Sequence, residues 1–178
     1  ASLATGQLPN RHGVTGRFSY ITLLPAPDAR FLILPSGVGF RAWGLIPPVR
    51  RISAQLPAGQ SLPFWTMFER VGFPSSVVNW PAALPEHGGA TRMIGENFFE
   101  SPGSPAQVRP PSFAAEAAKF RIAPEQFPDA VRSRFDTIDP ATRTRVLRNL
   151  AEDLTAMRLT DRSLEDGQFA LNVVALGG

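Results

Sequence analysis

The chain has 178 residues and is 43% hydrophobic, which suits one globular domain of ordinary size. Its net charge is only +3 and its basic residues are scattered, so we expect no nucleic-acid-binding surface, which needs clustered Lys and Arg. It contains no cysteine, which excludes disulfides, thiolate metal ligands and cysteine nucleophiles, and no apolar run approaches the ~20 residues of a membrane-spanning helix.

The N-terminal third predicts short elements separated by Pro and Gly. Residues 1–5 are typical of the last turn of a helix, because Gly6 follows them. Residues 17–24 and 31–34 predict strands, since they are rich in β-branched, aromatic and other apolar side chains. Residues 35–60 show no clear period and predict a loop.

The middle of the chain predicts an αβ unit. Residues 61–72 have the apolar spacing of a helix that ends at Gly72, and residues 74–79 predict a buried strand. A helix, a Gly turn and a β-branched strand in succession are typical of a largely parallel sheet. Residues 91–99 fit either an edge strand or an extended lid segment.

The C-terminal half predicts mainly helix. Residues 101–111 are rich in Pro and Gly, a composition typical of disorder. The strongest predicted helix covers residues 140–158, with Asp139 as its cap and Pro140 in its first turn. Residues 168–176 predict a final buried strand.

The helix predicted at 140–158 has two contrasting faces. Its apolar stripe predicts contact with the core and consists of Val146, Leu147, Leu150, Leu154 and Met157. Its polar residues predict a solvated face and are Arg143, Arg145, Arg148, Glu152 and Asp153.

Together these elements predict an α/β fold that forms part of a single domain. We expect a sheet and helix core at 1–100, a mostly helical insert or cap at 101–160 and a return strand at 161–178. The sequence opens inside a predicted helix and stops after a predicted strand, so we expect an internal segment of a longer protein.

The sequence alone contains no complete catalytic constellation. It has two histidines, His12 and His87, and neither lies in a metal-binding motif. The sequence also contains no Gly-x-Ser-x-Gly elbow, which would carry a serine nucleophile. We interpret His12, which precedes Gly13 at a turn, as a helix-end histidine bonded to nearby backbone.

Three residues are candidates for substrate binding, because α/β sheets bind ligands beyond the carboxyl ends of their strands. Arg17 fits either a phosphate-binding role or a surface ion pair. Asn79 and Trp80 directly follow a predicted strand, and Trp80 fits either a cap on the core or an apolar wall for a leaving group.

Three stretches resemble a known enzyme family. Residues 4–14, with the pattern Ala-Thr-Gly-x-x-Pro-x-x-His-Gly-Val, resemble the segment after the nucleophile in type I phosphodiesterase/nucleotide pyrophosphatase proteins of the alkaline phosphatase superfamily. Residues 63–82 are similar to the helix–Gly–strand unit of that family, which ends in a Trp-Pro-Ala turn. Residues 169–178 resemble the strand that leads into a metal-site loop.

The resemblance implies a three-layer αβα fold of alkaline phosphatase type and hydrolysis of small phosphoesters. It implies two divalent metal ions, usually zinc, which activate a Thr or Ser that attacks phosphorus and is transiently phosphorylated. Thr5, Gly6, His12 and Gly13 would then be structural residues near the site, and Arg17 would lie near the place where some relatives carry a phosphate-binding Asn.

By the same resemblance, the nucleophile and the metal ligands lie outside this sequence, which itself supplies no catalytic residue and no metal ligand. The alternative is a non-catalytic relative of the fold that binds an anionic ligand or a partner protein. We also expect poor solubility of the chain alone, because a sheet that ends on an unpaired strand tends to associate.

Overall fold

A computed structural model of the protein describes residues 2–8, 18–22, 30–31, 49–53, 62–81 and 90–177, with the backbone alone described within 18–53. The chain divides into two compact units, Ala1–Phe64 and Trp65–Gly178. Each unit contains its own β-sheet.

The first unit contains a short helix and a three-stranded antiparallel sheet. Helix α1 spans Ser2–Thr5. Gly6 ends α1, because it takes a φ of 65° and donates its N–H to the Ser2 carbonyl oxygen at 2.8 Å. The strands, in the spatial order β2-β1-β3, are β1 (Phe18–Thr22), β2 (Arg30–Phe31) and β3 (Val49–Ser53).

The strands of this sheet match the sequence predictions only in part. The strand predicted at 17–24 is confirmed as β1, whereas the one predicted at 31–34 overlaps β2 at Phe31 and otherwise lies outside the described residues. The loop predicted across 35–60 is wrong at β3, which pairs with β1 along its whole length. The sequence of β3, Val-Arg-Arg-Ile-Ser, lacks apolar alternation, so pairing with β1 identifies it as a strand where pattern does not.

The second unit is a mixed sheet accompanied by helices, which confirms the predicted α/β class. Its strands, in the order β6-β5-β4-β7, are β4 (Ser75–Val78), β5 (Arg92–Ile94), β6 (Val108–Arg109) and β7 (Leu171–Val174). β4 is parallel to β5 and β7, and β6 is antiparallel to β5. The α-helices are α2 (Phe64–Arg70), α3 (Ala114–Lys119), α4 (Asp129–Arg132) and α5 (Pro140–Asp166).

Short 3-10 turns connect the elements of this unit. They span Glu96–Phe99, Pro105–Gln107, Pro111–Phe113, Pro124–Gln126 and Ser133–Phe135. A proline starts three of them, because its fixed φ suits the first turn of a helix and its missing N–H needs no partner there.

The αβ unit predicted around Gly72 is present. Gly72 ends α2 with a φ of 86°, and its N–H donates to the Glu69 carbonyl oxygen at 3.0 Å. All four residues of β4 are buried, because this strand lies between β5 and β7 and is covered on both faces.

The predictions for the segments beside this unit need correction. β5 is an inner strand flanked by β4 and β6, and a 3-10 turn follows it, so residues 91–99 are neither an edge strand nor an extended lid. Residues 101–111 contain the edge strand β6 rather than a disordered stretch. The last strand, predicted as buried, is present as β7 with half-buried residues.

Helix α5 begins where its sequence predicts and ends later. The Asp139 side chain accepts a hydrogen bond from the Thr142 N–H at 3.0 Å, and Pro140 occupies the first turn. The helix continues past the predicted residue 158 to Asp166, where Gly167 ends it with a φ of 60°. Since no Gly or Pro lies between Pro140 and Asp166, nothing local terminates the helix earlier.

The buried face of α5 is built mainly from small residues. Its buried residues are two leucines, Leu147 and Leu159, and four smaller residues, Ala151, Thr155, Ala156 and Ser163. Met157, predicted to face the core, is instead 47% exposed. Leu147 is buried as predicted, and Leu150 and Leu154 pack against the same cluster. Small side chains let the helix axis approach its neighbours closely. The spacing of large apolar residues does not reveal this mode of packing.

A buried polar cluster attaches the end of α5 to the sheet. Arg92 of β5 donates to the Asp166 carboxylate at 2.6 Å and to the Ser163 hydroxyl at 3.2 Å. Its guanidinium carbon lies 4.1 Å from the centre of the Phe113 ring and 4.7 Å from that of Phe169. The cation therefore combines an ion pair with contacts to two aromatic faces.

Two apolar clusters stabilise the second unit. The larger surrounds the sheet and includes Val78, Ile94, Phe98 and Leu159. The smaller lies under the first half of α5 and is centred on Phe127, Leu147 and Ala151. Among the residues that the structure describes, no helix has the length and apolar content needed to cross a membrane.

Candidate functional site

Asn79 joins three parallel strands at their carboxyl ends. Its N–H donates to the Ile94 carbonyl oxygen of β5 at 2.8 Å. Its side-chain Nδ2 donates to the carbonyl oxygen of Ala175, just after β7, at 3.1 Å, and the Ala175 N–H returns a bond to Val78. One N–H of the side-chain amide of Asn79, a residue predicted to bind substrate, is therefore occupied by the sheet.

The geometry of Asn79 also requires a special backbone conformation. Its φ is 57°, the only positive value at a non-glycine residue in the described part of the chain. Asn tolerates this region better than most residues because its short polar side chain bonds locally. The conformation turns the chain sharply out of β4 and brings Trp80 to the carboxyl side of the sheet.

Trp80 packs against a second tryptophan. Its ring lies edge-on to that of Trp65 from α2, with centroids 5.6 Å apart and planes at 68°. Trp65 is fully buried and Trp80 half-buried. The structure thus brings Trp80 into contact with the core and leaves part of its ring accessible.

The other predicted site residues belong to the first unit or lie outside the described residues. Thr5 is buried, and its hydroxyl accepts a hydrogen bond from the Gln7 N–H at 3.3 Å. Gly6 supplies the turn after α1. His12, Gly13 and Arg17 lie outside the described residues.

The described residues do not fit a metal centre. Across 2–8, 62–81 and 90–177, no three His, Cys, Asp or Glu side chains lie close enough together to hold an ion. A hydrolytic zinc site needs such a set, so the two metal ions implied by the sequence resemblance find no ligands in this part of the chain.

A pocket of about 650 Å³, called here the α5 pocket, lies elsewhere in the second unit. Its walls are Phe99 and Glu100 after β5, Arg132 of α4, the chain around the Pro124–Gln126 turn and the first half of α5. Of the residues predicted to bind substrate, Asn79 and Trp80 are described, and neither lines it.

The α5 pocket lies beyond the carboxyl ends of the parallel strands. Ser163 of α5 accepts a hydrogen bond from Ser76 near the start of β4 at 2.9 Å. Asp153, three helical turns earlier, accepts one from the N–H of Gly177, beyond the end of β7, at 2.8 Å. α5 therefore runs opposite to both strands, and its residues before Asp153 project past the sheet, the side on which α/β proteins bind ligands.

Ion pairs fix most of the charged groups around the pocket. Arg148 donates to Glu152 at 2.9 Å and to Glu100 at 2.8 Å, and these hydrogen bonds, that to Glu152 first, raise the pKa of Arg148 above its usual value. Arg143 pairs with Asp136 at 2.8 Å. The predicted solvated face of α5 is thus in part the wall of a pocket.

Arg121 differs from the other cations of the pocket. It is exposed, and within the described residues its side chain forms no ion pair or hydrogen bond. Its neighbour Ile122 is held in place, because its N–H donates to the buried Thr155 hydroxyl at 2.9 Å. Arg121 therefore extends from an anchored loop with its guanidinium donors uncommitted.

The α5 pocket has no signature in the sequence, because it depends on a contact between distant residues. The spacing of Arg148 and Glu152 by four residues signals a helical ion pair. Glu100, however, reaches Arg148 from 48 residues away, and nothing local to either residue indicates that meeting.

No family model, no curated protein and no solved structure matches this chain.

Proposed function

We propose that the chain is part of a metal-dependent phosphoester hydrolase of the type I phosphodiesterase/nucleotide pyrophosphatase kind, with an alkaline-phosphatase-like fold. On this proposal the Thr or Ser nucleophile and the metal ligands lie outside the sequence. The chain would contribute part of the sheet and part of the wall around a small phosphoester.

The αβ unit at residues 64–81 carries the proposal. Its helix, Gly turn and parallel strand end in Asn79-Trp80-Pro81 at the carboxyl side of the sheet, where ligands of α/β proteins bind. This is also the stretch whose sequence is similar to the corresponding unit of the family. Position and sequence therefore support the same assignment.

The individual residues receive different roles in this proposal. Arg17 binds a phosphate oxygen through its guanidinium, which forms bidentate pairs with phosphate. The accessible part of Trp80 forms an apolar wall for the leaving group. Asn79 positions the loop, since one N–H of its Nδ2 donates to Ala175, and the second N–H remains a donor for a phosphate oxygen.

The runner-up is a non-catalytic relative that binds an anionic ligand or a partner protein. Both functions fit the described residues, because on the hydrolase proposal the metal ligands lie outside the sequence. The two functions differ in turnover: both bind an anion, and only the hydrolase releases product.

The test uses the longer protein that the proposal implies. Hydrolysis of p-nitrophenyl phosphate and bis(p-nitrophenyl) phosphate is measured before and after treatment with a chelator, and again after zinc is restored. We expect the chelator to abolish hydrolysis and zinc to recover it. Replacing Arg17→Gln is expected to raise KM by about tenfold, because one charge-assisted contact to phosphate is lost.

Arg158→Gln is the matched control, since Arg158 is exposed on α5 and forms no described ion pair. Its KM should equal that of the unmodified protein. Hydrolysis that survives the chelator contradicts the proposal, as does the absence of hydrolysis with either ester. Saturable binding of a phosphoester without turnover supports the runner-up.

A further inference from the structure

The α5 pocket combines an apolar floor with a charged rim. Leu147 and Ala151 form the floor on α5, and Phe99 and Ile122 close it from the sides. The rim carries four Arg and three Glu, so the formal charge of the lining is +1. A cavity that combines apolar walls with polar groups able to orient a ligand is typical of small-molecule sites.

The charges of the rim select among anions. Arg148 is saturated by two carboxylates, and Arg143 and Arg132 each have an acidic partner. Arg121 is the cation of the rim that has no acidic partner within the described residues. One uncommitted guanidinium matches one carboxylate. A dianion such as phosphate is disfavoured, because three glutamates share the same rim.

The walls are held in place before any ligand arrives. Thr155 is fully buried and fixes the Ile122 end of the loop, while its own hydroxyl donates to the Ala151 carbonyl oxygen at 2.7 Å. The Glu100–Arg148 pair links the turn after β5 to α5. A preformed site of this kind loses little conformational entropy on binding.

We propose that the α5 pocket binds a small apolar monocarboxylate, with the ring or alkyl part on the Leu147 and Ala151 floor and the carboxylate on Arg121. This site is separate from the Asn79-Trp80 edge and does not depend on phosphoester hydrolysis.

The test uses the 178-residue chain and three probes: 2-naphthoate, its uncharged isostere 2-naphthamide, and inorganic phosphate. Binding is measured by isothermal titration calorimetry. We expect saturable binding of 2-naphthoate, with 2-naphthamide and phosphate each at least about tenfold weaker.

Two variants locate the site. Arg121→Gln should weaken 2-naphthoate binding by about tenfold or more and leave 2-naphthamide unchanged, because only the carboxylate loses a partner. Thr144→Phe adds a ring at an exposed position that lines the pocket, and it should abolish binding of both naphthyl probes. Arg158→Gln, outside the pocket, should change neither affinity.

Thermal melts of each variant establish that it is folded, and Arg121 and Thr144 are exposed enough to be replaced without unfolding the chain. The proposal is overturned if 2-naphthoate does not bind, if phosphate or 2-naphthamide binds as tightly, or if Arg121→Gln leaves the affinity unchanged. Because no probe is a phosphoester, these results are independent of the hydrolysis assay.

Discussion

Asn79 shows how one residue defines an edge of this sheet. Its backbone and side chain together bond to β5 and to the chain after β7, and they do so only because its φ is 57°. Residues with a Cβ and no local hydrogen bond pay a conformational penalty there. Asn79 therefore contributes in two ways: it tolerates the positive φ, and its Nδ2 donates to Ala175. Two substitutions separate these contributions.

Asn79→Ala should lower the free energy of unfolding by about 2 kcal/mol, because it loses a hydrogen bond and introduces strain at a positive φ. Asn79→Gly should cost about 1 kcal/mol, because glycine adopts this φ freely and only the bond to Ala175 is lost. Urea denaturation measures both. Asn149→Ala is the control, since Asn149 lies within α5 and makes no described side-chain bond; an equal loss there would contradict the assignment.

The elements of the second unit are joined by a few long-range polar contacts. Arg92 on β5 meets Asp166 at the end of α5, 74 residues later, and both side chains are nearly buried at 13% and 12% exposure. Asp166 also pairs with Arg162, which in turn bonds to Glu116 of α3 at 2.9 Å. The start of β5, the end of α5 and α3 therefore share one connected network.

Replacing Arg92→Leu should destabilise the unit by about 3 kcal/mol, because it breaks a nearly buried ion pair and leaves Asp166 with one cation instead of two. Arg92→Lys should cost less, since the charge stays while the planar contacts to Phe113 and Phe169 are lost. Arg70→Lys on the exposed end of α2 is the matched control and should be neutral in the same denaturant titration.

The start of α5 gives a pH-dependent contribution to stability. Hydrogen bonds from the Thr142 backbone and side chain lower the pKa of Asp139 below its usual value of 3.8. Folding thus favours the carboxylate, so this contribution is complete above the usual value and disappears as the pH falls through the lowered pKa.

Asp139→Asn keeps a side-chain acceptor and removes the charge. We expect the variant to melt below the unmodified protein at pH 7 and the difference to shrink below pH 3.8 as the unmodified carboxyl is protonated. The control, Asp161→Asn, replaces an exposed carboxylate of α5 that has no described partner. If the difference in melting temperature between Asp139→Asn and the unmodified protein stays constant down to the lowest pH, the charge of Asp139 does not contribute to the stability of this helix start.

At the scale of the whole molecule, the outer strand β7 is where we expect copies of the chain to associate. β7 is an outer strand of the described sheet, and Leu176 directly beyond it is 53% exposed. An outer strand that no described strand pairs on its far side is a template for pairing with a second chain. We therefore place the association predicted from the sequence at β7.

Leu176→Lys should shift the chain toward monomer in sedimentation velocity, because a charge beside the edge opposes strand pairing between copies. Leu164→Lys is the comparison, since Leu164 is equally prominent at 58% exposure but lies on α5. The expected result is relief of association by the first change and little effect of the second. A monomeric, cooperatively melting unmodified chain would contradict this prediction.

Local sequence is sufficient for many element boundaries. Gly72 ends α2 and Gly167 ends α5, because glycine readily adopts a positive φ. Asp139 and Pro140 begin α5, because the Asp139 side chain caps the first turn and the proline ring suits the first helical position. The burial of β4 follows from its run of Ser and Val between turn residues. These features depend on residues within a few positions of each other, so a single sequence contains the information.

Tertiary structure decides what depends on distant partners. β3 is a strand because it pairs with β1. Arg92 is nearly buried because it contacts Asp166 and two aromatic rings. The wall of the α5 pocket includes the ion pair between Glu100 and Arg148, which lie far apart in the sequence. The α/β class, the αβ unit and the start of α5 could be predicted from the sequence, since they follow from local propensity and turn chemistry. The location of the pocket and the commitment of Asn79 to the sheet required the fold, because contacts between residues far apart in sequence leave no periodic or local signal.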